Sequence, residues 1–350
     1  MSRLKVNSQL VFLAVGCALF AYLLIRLHPS EVFALLREIG WYFGFVIAIY
    51  CCYELVRTWA LERCLLEGER PSFWALVGIR ISGEAIQFLT FTGPFLAEPA
   101  KATFLRNRGL PVSQAFGAEV SEFLIYTFTS SVMSVAGLSY LLHSYHLSHA
   151  VAIAARSILY AICGFLLVSA YAIIRRVYLI GAIVKRMCKL ALLKRLNIDP
   201  AQVRRTEDVL FTVFRDRPLR LLAIVGIELV SQALLVLELF VLLWATGTFS
   251  RLDPFLIESC TKFISVGFFF IPGQIGVTAG AYAILSHELG LAATTGFALA
   301  LARRLRSFLV SGAGLALTSR FYRRETPALR RNGSPSSQNK ASASTSLPIK

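Results

Sequence analysis

The 350-residue chain is too apolar for a soluble protein: 56% of its residues are hydrophobic and 16% are charged, and its mean hydropathy is +0.63. Soluble domains carry about 25% charged residues, so soluble, disordered and disulfide-scaffold classes are excluded for most of the chain. The net charge of +16 is concentrated near residues 175–220 and 318–350. Such blocks are typical of cytoplasmic faces near anionic lipid, and no nucleic-acid partner is expected. The composition predicts an all-α, polytopic integral membrane helix bundle.

Apolar segments of about the length of membrane helices recur along the chain. In order, they cover residues 9–27, 39–62, 73–92, 118–142, 150–174, 219–247, 255–271, 277–289 and 292–317. Basic residues that include Arg57, Arg63 and Arg70 place the end of the second segment in the cytoplasm. We expect a bacterial inner-membrane protein, and the same rule predicts that its N- and C-termini are both cytoplasmic.

Two regions, 73–104 and 254–289, are interrupted by glycine and proline. The breakers expected at a functional site are Gly93, Pro94, Pro272, Gly273 and Gly276. Irregular backbone survives in a membrane only inside protein or beside a wet cavity. Each region is therefore expected to be a broken or re-entrant helix, with two ordinary short spans as the alternative.

Segments, breakers and charges recur at a spacing of about 180 residues, which predicts two inverted halves. The halves cover about 5–142 and 150–318, and the second contains a cytoplasmic basic insert at about 175–218. Together they form one predicted membrane domain, 1–320, which is followed by a disordered cytoplasmic tail, 321–350. Each half has three crossings, so the halves are expected to have opposite orientations, as in many transporters.

Charged residues lie where membrane segments should be apolar, and a lone charge at the membrane centre costs at least about 2.5–3.5 kcal/mol. Arg80 and Glu84 are four residues apart in the first broken region. Glu258 and Lys262 are four apart in the second, with the signs reversed. Residues four apart share a helix face, so each pair can neutralise itself. The pairs are expected either to hold the broken helices together or to line a path for a polar headgroup.

Further charged residues complete the predicted binding site. Glu98 and Lys101 follow the first break, where Glu98 could bind an amine or carry a coupled proton. Glu122 opens the next segment, where an ordinary helix-dipole role is the alternative. Arg303 matches Glu122 in the repeat and could clamp a phosphate, with snorkelling at a helix end as the alternative. We expect Glu98, Arg80 and Arg303 to contact the headgroup, and we expect no metal site, cofactor or catalytic motif.

Residues 93–101, Gly-Pro-Phe-Leu-Ala-Glu-Pro-Ala-Lys, resemble the P-x-x-x-G-E-x-x-(R/K) motif of the lysylphosphatidylglycerol synthase transmembrane family, also called flippase-like membrane proteins. Residues 271–290 resemble the second motif of that family, P-G-x-x-G…E-G, and Arg303 matches its arginine in the last helix. Two departures from the pattern matter. Ala97 stands where the family usually has glycine, and Ala279 where it usually has glutamate.

The resemblance covers about residues 5–320 and implies a domain that moves or holds lipids between leaflets. Larger members add a soluble lysine-transfer domain that has no counterpart here, so aminoacyl transfer is not expected. The leading hypothesis is a translocator of a lipid with an anionic or amine-bearing headgroup. The alternatives are a membrane subunit or enzyme of glycolipid, polyprenol-linked or hopanoid synthesis, and a scaffold or small-molecule carrier. A homo-oligomer and a lipid-synthesis enzyme are the protein partners considered.

Overall fold

The computed structural model describes residues 29–66, 71–89, 94–178, 181, 200–248, 251–267 and 276–331, and the elements within these ranges are all helices. They are α1 (Pro29–Ile39), α2 (Tyr42–Cys64), α3 (Phe73–Leu89), α4 (Pro94–Arg106), α5 (Val112–Ser144), α6 (His149–Arg175), α7 (Pro200–Phe211), a π-helical turn (Thr212–Asp216), α8 (Pro218–Ala245), α9 (Asp253–Gly267), α10 (Val277–Glu288) and α11 (Ala293–Arg331). The predicted all-α fold is therefore confirmed for these residues. The predicted segment at 9–27 lies outside them.

Among the described helices, α2, α5, α6 and α8 are long and apolar enough to cross a membrane. They coincide with four of the predicted segments, so the helical membrane bundle is confirmed. The last helix, α11, ends at Arg331, beyond residue 320, where the sequence placed the start of the tail.

Both glycine- and proline-rich regions form pairs of short helices. In the first, α3 has 17 residues and α4 has 13, and in the second, α9 has 15 and α10 has 12. A membrane span needs about 20 residues. Pro94 begins α4, while Gly276 precedes α10 with a φ of 84°, a conformation that favours glycine. Gly93, Pro272 and Gly273 lie outside the described residues.

The short helices pack reciprocally on the long ones. Helix α3 packs on α11, and α9 packs on α5, so the broken region of each half lies on the last helix of the other half. A glycine permits each approach. A Cβ built on Gly137 of α5 would overlap the Ser259 side chain of α9, and one built on Gly314 of α11 would overlap the Ile81 carbonyl of α3. Small residues allow close helix crossings in membranes.

The pair of helices α2 and α8 lies at the centre of the bundle and runs antiparallel. Arg220, near the start of α8, donates a hydrogen bond of 2.5 Å to the carbonyl oxygen of Arg63, near the end of α2. Further along, Tyr50 of α2 shares an apolar cluster with Leu235 of α8. Residue numbers therefore rise along one helix as they fall along the other.

Two apolar cores enclose this pair at its ends. One core contains Leu61 of α2 and Ile224 of α8, and the other contains Val46 of α2 and Leu242 of α8. Between these residues, α2 carries the buried charged residues Glu54 and Arg57, and α8 carries Glu228 and Glu238. The fold thus places a polar layer between two hydrophobic cores.

Candidate functional site

The polar layer consists of ionisable side chains that α2, α3, α4, α5, α8, α9 and α11 direct towards one another. Most of them are at most 8% exposed, namely Glu54, Arg57, Arg80, Lys101, Glu119, Glu122, Glu228, Glu238, Glu258 and Arg306. Partly buried members are Glu84, Glu98, Lys262 and Arg303. All eight residues of the predicted binding site therefore lie in this layer, together with others. Buried charges need partners, so the ion pairs define the site.

A triad of Arg57, Glu122 and Arg80 joins three helices. Glu122 Oε1 of α5 lies 2.5 Å from Arg57 Nη2 of α2 and 3.2 Å from Arg80 Nη1 of α3. Arg80 Nε also lies 3.0 Å from Glu54 Oε2 of α2. The prediction that Arg80 pairs with Glu84 is wrong. Because α3 packs against α2, and Glu122 of α5 is also within reach, Arg80 finds carboxylates on other helices.

Lys101 extends this group towards α4. Its Nζ lies 2.8 Å from Glu98 Oε1 on the same helix and 3.3 Å from Glu119 Oε2 on α5. A Cβ on Gly83 of α3 would come within 2.5 Å of Lys101 Cδ. The glycine therefore leaves room for the lysine stem. The structure brings the predicted pair Glu98 and Lys101 together and links it to a second carboxylate.

Glu119 and Glu122 do not act as helix-dipole partners. Helix α5 begins at Val112, ahead of the predicted segment, and its first turn contains no acidic residue. The influence of the helix dipole falls off within the first turn. Both glutamates instead face the bundle interior, with exposures of 1% and 0%.

A second triad, Glu238, Arg303 and Glu258, lies in the other half. Arg303 Nη1 of α11 lies 2.6 Å from Glu258 Oε2 of α9, and its Nη2 lies 3.2 Å from Glu238 Oε2 of α8. Lys262 Nζ lies 3.3 Å from Glu258 Oε1, so the predicted pair on α9 is formed. Arg303 therefore points into the bundle, and the snorkelling alternative is wrong for it.

Polar side chains around the second triad complete its hydrogen bonds. Arg306 of α11 pairs with Glu238, and Lys262 donates to the side-chain oxygen of Gln232 on α8. Gln232 Nε2 then donates to Ser130 Oγ of α5 at 2.7 Å. This chain of contacts connects the second triad to α5, the helix that carries Glu122.

Tyrosines lie between the two triads. The Cζ atom of Arg57 lies 3.7 Å from the ring centroid of Tyr126, and Lys262 Nζ approaches the same ring at 5.5 Å. In the same way, Arg306 Cζ lies 3.7 Å from the ring centroid of Tyr50. Desolvated cation–π contacts of this kind stabilise by about 2 kcal/mol. The tyrosines therefore join the two groups of charges into one continuous layer.

The two triads have the same arrangement with opposite signs. Matching members are separated by about 180 residues, as for the other repeated features. The matches are Arg57 with Glu238, Glu122 with Arg303, and Arg80 with Glu258. In both triads the residue on the long last helix of its half bridges the other two. We call the group around Glu122 the first cluster and the group around Arg303 the second cluster.

Several members of the layer were not predicted as site residues. Arg57 was interpreted as a marker of the cytoplasmic side, but it is 7% exposed and paired inside the bundle, so that interpretation is wrong. Glu54, Glu119, Glu228 and Glu238 also lay outside the predicted set of site residues. The signal that could have identified Arg57 and Glu238 is their matched position in the repeat, with reversed sign.

The layer contains buried oxygen atoms that accept no hydrogen bond within the described part of the protein. They belong to Glu54, Glu98, Glu119, Glu122, Glu228 and Glu238. Buried acceptors without a hydrogen bond are rare in folded proteins, so each calls for an explanation. Among the described residues, no group of histidine, cysteine or acidic side chains has the arrangement of a metal site.

Comparison with known proteins identifies one family. The family described as "Lysylphosphatidylglycerol synthase TM region" matches residues 9–314. That range includes every member of the polar layer. Comparisons with curated proteins and with solved structures return no match.

Proposed function

Because the chain belongs to the lysylphosphatidylglycerol synthase transmembrane family, we propose that it moves a polar-headgroup lipid between the leaflets of a bacterial inner membrane. Membership supports a membrane role related to lipids. The observation that carries the finer proposal is the buried polar layer, in which cations and carboxylates from both halves of the chain meet between two apolar cores.

The energy barrier to moving a phospholipid headgroup across the bilayer lies in its apolar centre, because the charges of the headgroup lose their water there. The polar layer offers replacement partners of both signs. The second cluster presents the cations Arg303 and Arg306, which suit a phosphate, and the first cluster presents carboxylates, which suit an amine. The acyl chains would stay in the surrounding lipid while the charged groups of the headgroup replace one partner in the existing ion pairs.

Two side chains are the best placed to meet an incoming headgroup. The side chains of Glu98 and Arg303 are 17% and 15% exposed, whereas that of Arg80 is 1% exposed. We therefore assign the first contacts to Glu98 and Arg303. Arg80 holds the first triad together and becomes a headgroup contact only after the layer opens.

Movement requires that the two apolar cores separate in turn, because together they enclose the layer on both sides. The reciprocal packing of α3 on α11 and of α9 on α5, and the antiparallel central pair, support the proposed inverted halves. A translocator of this kind would open towards one leaflet by separating one core while the other stays closed.

A reconstituted assay tests lipid movement directly. Purified protein is placed in vesicles of phosphatidylethanolamine and phosphatidylglycerol that contain NBD-labelled phosphatidylglycerol, and dithionite bleaches the label that reaches the outer leaflet. We expect wild type to move the label, and Arg303→Gln to slow it at least tenfold. Arg156→Gln, on the exposed face of α6, is the matched control and should move it normally. If wild type leaves NBD-labelled phosphatidylglycerol and phosphatidylethanolamine as protected as in empty vesicles, the proposal is wrong.

A leaflet-resolved lipidome separates translocation from synthesis. Wild type, a deletion strain and Glu98→Gln are compared, with Glu38→Gln on the exposed face of α1 as the control. In the deletion strain and in Glu98→Gln, we expect one lipid to be present at its normal total amount but trapped in one leaflet. Wild type and Glu38→Gln should show the normal distribution of this lipid. A lipid missing altogether would favour the subunit or enzyme of lipid synthesis instead.

A further inference from the structure

The first cluster contains more carboxylates than cations. Its carboxylates are Glu54, Glu84, Glu98, Glu119, Glu122 and Glu228, and its cations are Arg57, Arg80 and Lys101. The second cluster has no such surplus, since Lys262, Arg303 and Arg306 face Glu238 and Glu258. Two buried clusters that share one scaffold therefore differ in their balance of charge.

An unbalanced carboxylate is costly inside a bundle. Transfer of an ion out of water costs several kcal/mol unless a counter-charge and hydrogen bonds replace its hydration. Repulsion between neighbouring carboxylates adds to this cost in a medium of low dielectric constant. A carboxylate in this position becomes neutral by taking up a proton. The surplus in the first cluster therefore calls for bound protons.

Glu119 is the clearest candidate. It is 1% exposed, and neither of its carboxylate oxygens accepts a hydrogen bond from the residues that the structure describes. Its nearest cation, Lys101 Nζ at 3.3 Å, lies closer to Glu98, at 2.8 Å. The charged groups that face it are Lys101 and Glu98 of α4, Arg80 of α3 and Glu122 of its own helix. Two of these four groups are acidic, so Glu119 lacks a cation of its own.

Glu228 of α8 stands in a similar position on the opposite side of the cluster. It is fully buried, and its Oε1 accepts no hydrogen bond within the described ranges, while Ser231 Oγ donates to Oε2 at 2.9 Å. Its nearest cation is Arg57 of α2, whose Nε lies 3.7 Å away. The other charged groups that face it are Glu122 of α5 and Arg80 of α3. Because both arginines already pair with Glu122, Glu228 shares these two cations with Glu122.

The acidic surplus is not needed for the helix packing that the halves share. At the matched positions of the second half, apolar residues replace three of the glutamates. Leu235 occupies the position that matches Glu54, Ala279 the position that matches Glu98, and Ala300 the position that matches Glu119. These apolar residues are compatible with the same arrangement of helices. Three of the surplus carboxylates are therefore absent from the matched positions of the second half, and the surplus calls for a function of its own.

We infer that the first cluster is a proton-binding site, and that exchange of its protons couples lipid movement to the proton gradient. The coupling rests on the proposed translocation, whereas proton binding stands on the structure alone. Each uptake step converts one carboxylate and one hydronium ion into a carboxylic acid and a water molecule, and no bond to lipid forms. In the closed form Glu119 and Glu228 hold protons, and opening of the layer to water releases them.

Infrared difference spectroscopy of the purified full chain at neutral pH tests proton binding without a transport assay. We expect a carbonyl band of protonated carboxylic acid in wild type. The band should decrease in Glu119→Gln and in Glu228→Gln. Glu258→Gln is the matched control, because Glu258 is equally buried but paired with Arg303 and Lys262. Absence of the band in wild type, or an equal decrease in Glu258→Gln, would overturn the inference.

The vesicle assay with NBD-labelled phosphatidylglycerol then tests coupling under opposite pH gradients. We expect the rate in wild type to depend on the direction of the gradient, and the rate in Glu119→Gln to lose that dependence. Equal dependence in both proteins would overturn the coupling. If the band is present and no lipid moves, the proposed function fails while the proton site stands. If lipid moves independently of pH and the band is absent, the proton site fails while the function stands.

Discussion

The first and second clusters share a scaffold and differ in what surrounds it. In both, a residue on the last long helix of one half bridges two charges of opposite sign, Glu122 between arginines and Arg303 between glutamates. Around Glu122 lie unmatched carboxylates that accept few hydrogen bonds. Around Arg303, the remaining charges are paired by Arg306 and Lys262.

This difference separates two roles that buried charges can have. One triad joins α2, α3 and α5, and the other joins the corresponding helices α8, α9 and α11. We therefore assign the triads to the assembly of the bundle. Three of the surplus carboxylates, Glu54, Glu98 and Glu119, have apolar residues at the matched positions of the second half. Because the fold accommodates apolar residues at these positions in one half, we assign the three carboxylates to the proposed transport rather than to folding.

The largest effect is expected when the first half is given the apolar character of the second. The triple variant Glu98→Ala, Lys101→Met and Glu119→Ala removes a buried ion-pair group together with its cation. Replacement of such groups by apolar residues is often neutral or stabilising. We therefore expect a folded protein with an unchanged or higher midpoint of thermal unfolding and no lipid movement in the vesicle assay. Normal transport by this variant would show that the surplus carboxylates have no role in lipid movement.

The next effect compares the bridging residues. Glu122→Gln leaves Arg57 and Arg80 buried without their shared carboxylate, and loss of one partner of a buried pair costs about 3–5 kcal/mol. Arg303→Gln should cost less, because the side chain of Arg303 is 15% exposed whereas that of Glu122 is fully buried. The midpoint of thermal unfolding in detergent should therefore fall further for Glu122→Gln. Equal shifts would show that burial of the bridging residue does not set the cost of losing it.

A smaller effect is expected at the helix crossings that both halves use. Gly314→Leu places a side chain against the carbonyl of Ile81, and Gly137→Leu places one against Ser259. Overpacking of this kind costs about 1–3 kcal/mol. We expect both variants to lower the midpoint of thermal unfolding by similar amounts, since the crossings are equivalent.

The control for the crossings is Gly312→Leu, because a Cβ at this exposed glycine of α11 meets no atom within 4 Å. Its midpoint should stay close to that of wild type. If Gly312→Leu destabilises as much as Gly314→Leu, helix propensity rather than close packing would explain the result.

Much of this architecture can be predicted from periodic features of the sequence. Apolar segments and glycine-proline breaks predict the helices and their interruptions, because the bilayer requires about 20 apolar residues for a span. Signs reversed at matched positions predict that Glu122 and Arg303 belong together functionally. These are local or repetitive properties, and the structure contains the corresponding elements.

The partners of the charged residues could not be predicted in the same way. Spacing along one helix paired Arg80 with Glu84, yet helix packing places Arg80 against Glu54 and Glu122. Arg57 looks like a cytoplasmic marker in a linear pattern, and only the antiparallel packing of α2 on α8 shows that it is buried. Contacts between helices depend on crossing positions, which no local pattern records.

The smallest effect is expected for a charged group outside the polar layer. Glu288 ends α10 beside the loop between α5 and α6, where it accepts hydrogen bonds from Ser148 Oγ at 2.6 Å and from Ser148 N at 3.0 Å. These bonds lower the pKa of Glu288 below its ordinary value of 4.5. Because the folded pKa lies below the unfolded one, the stabilisation is present above the unfolded pKa and is lost as the pH falls through the folded pKa.

The variant Ser148→Ala removes the shorter of the two bonds. Its midpoint of thermal unfolding should lie slightly below that of wild type at pH 7, and the two should converge as the pH falls below about 4. A difference that persists in acid would mean that Ser148 acts through packing rather than through the charge of Glu288. A difference at pH 7 as large as that of Glu122→Gln would contradict the distinction between buried and exposed charges, because exposed pairs contribute about 0–1 kcal/mol.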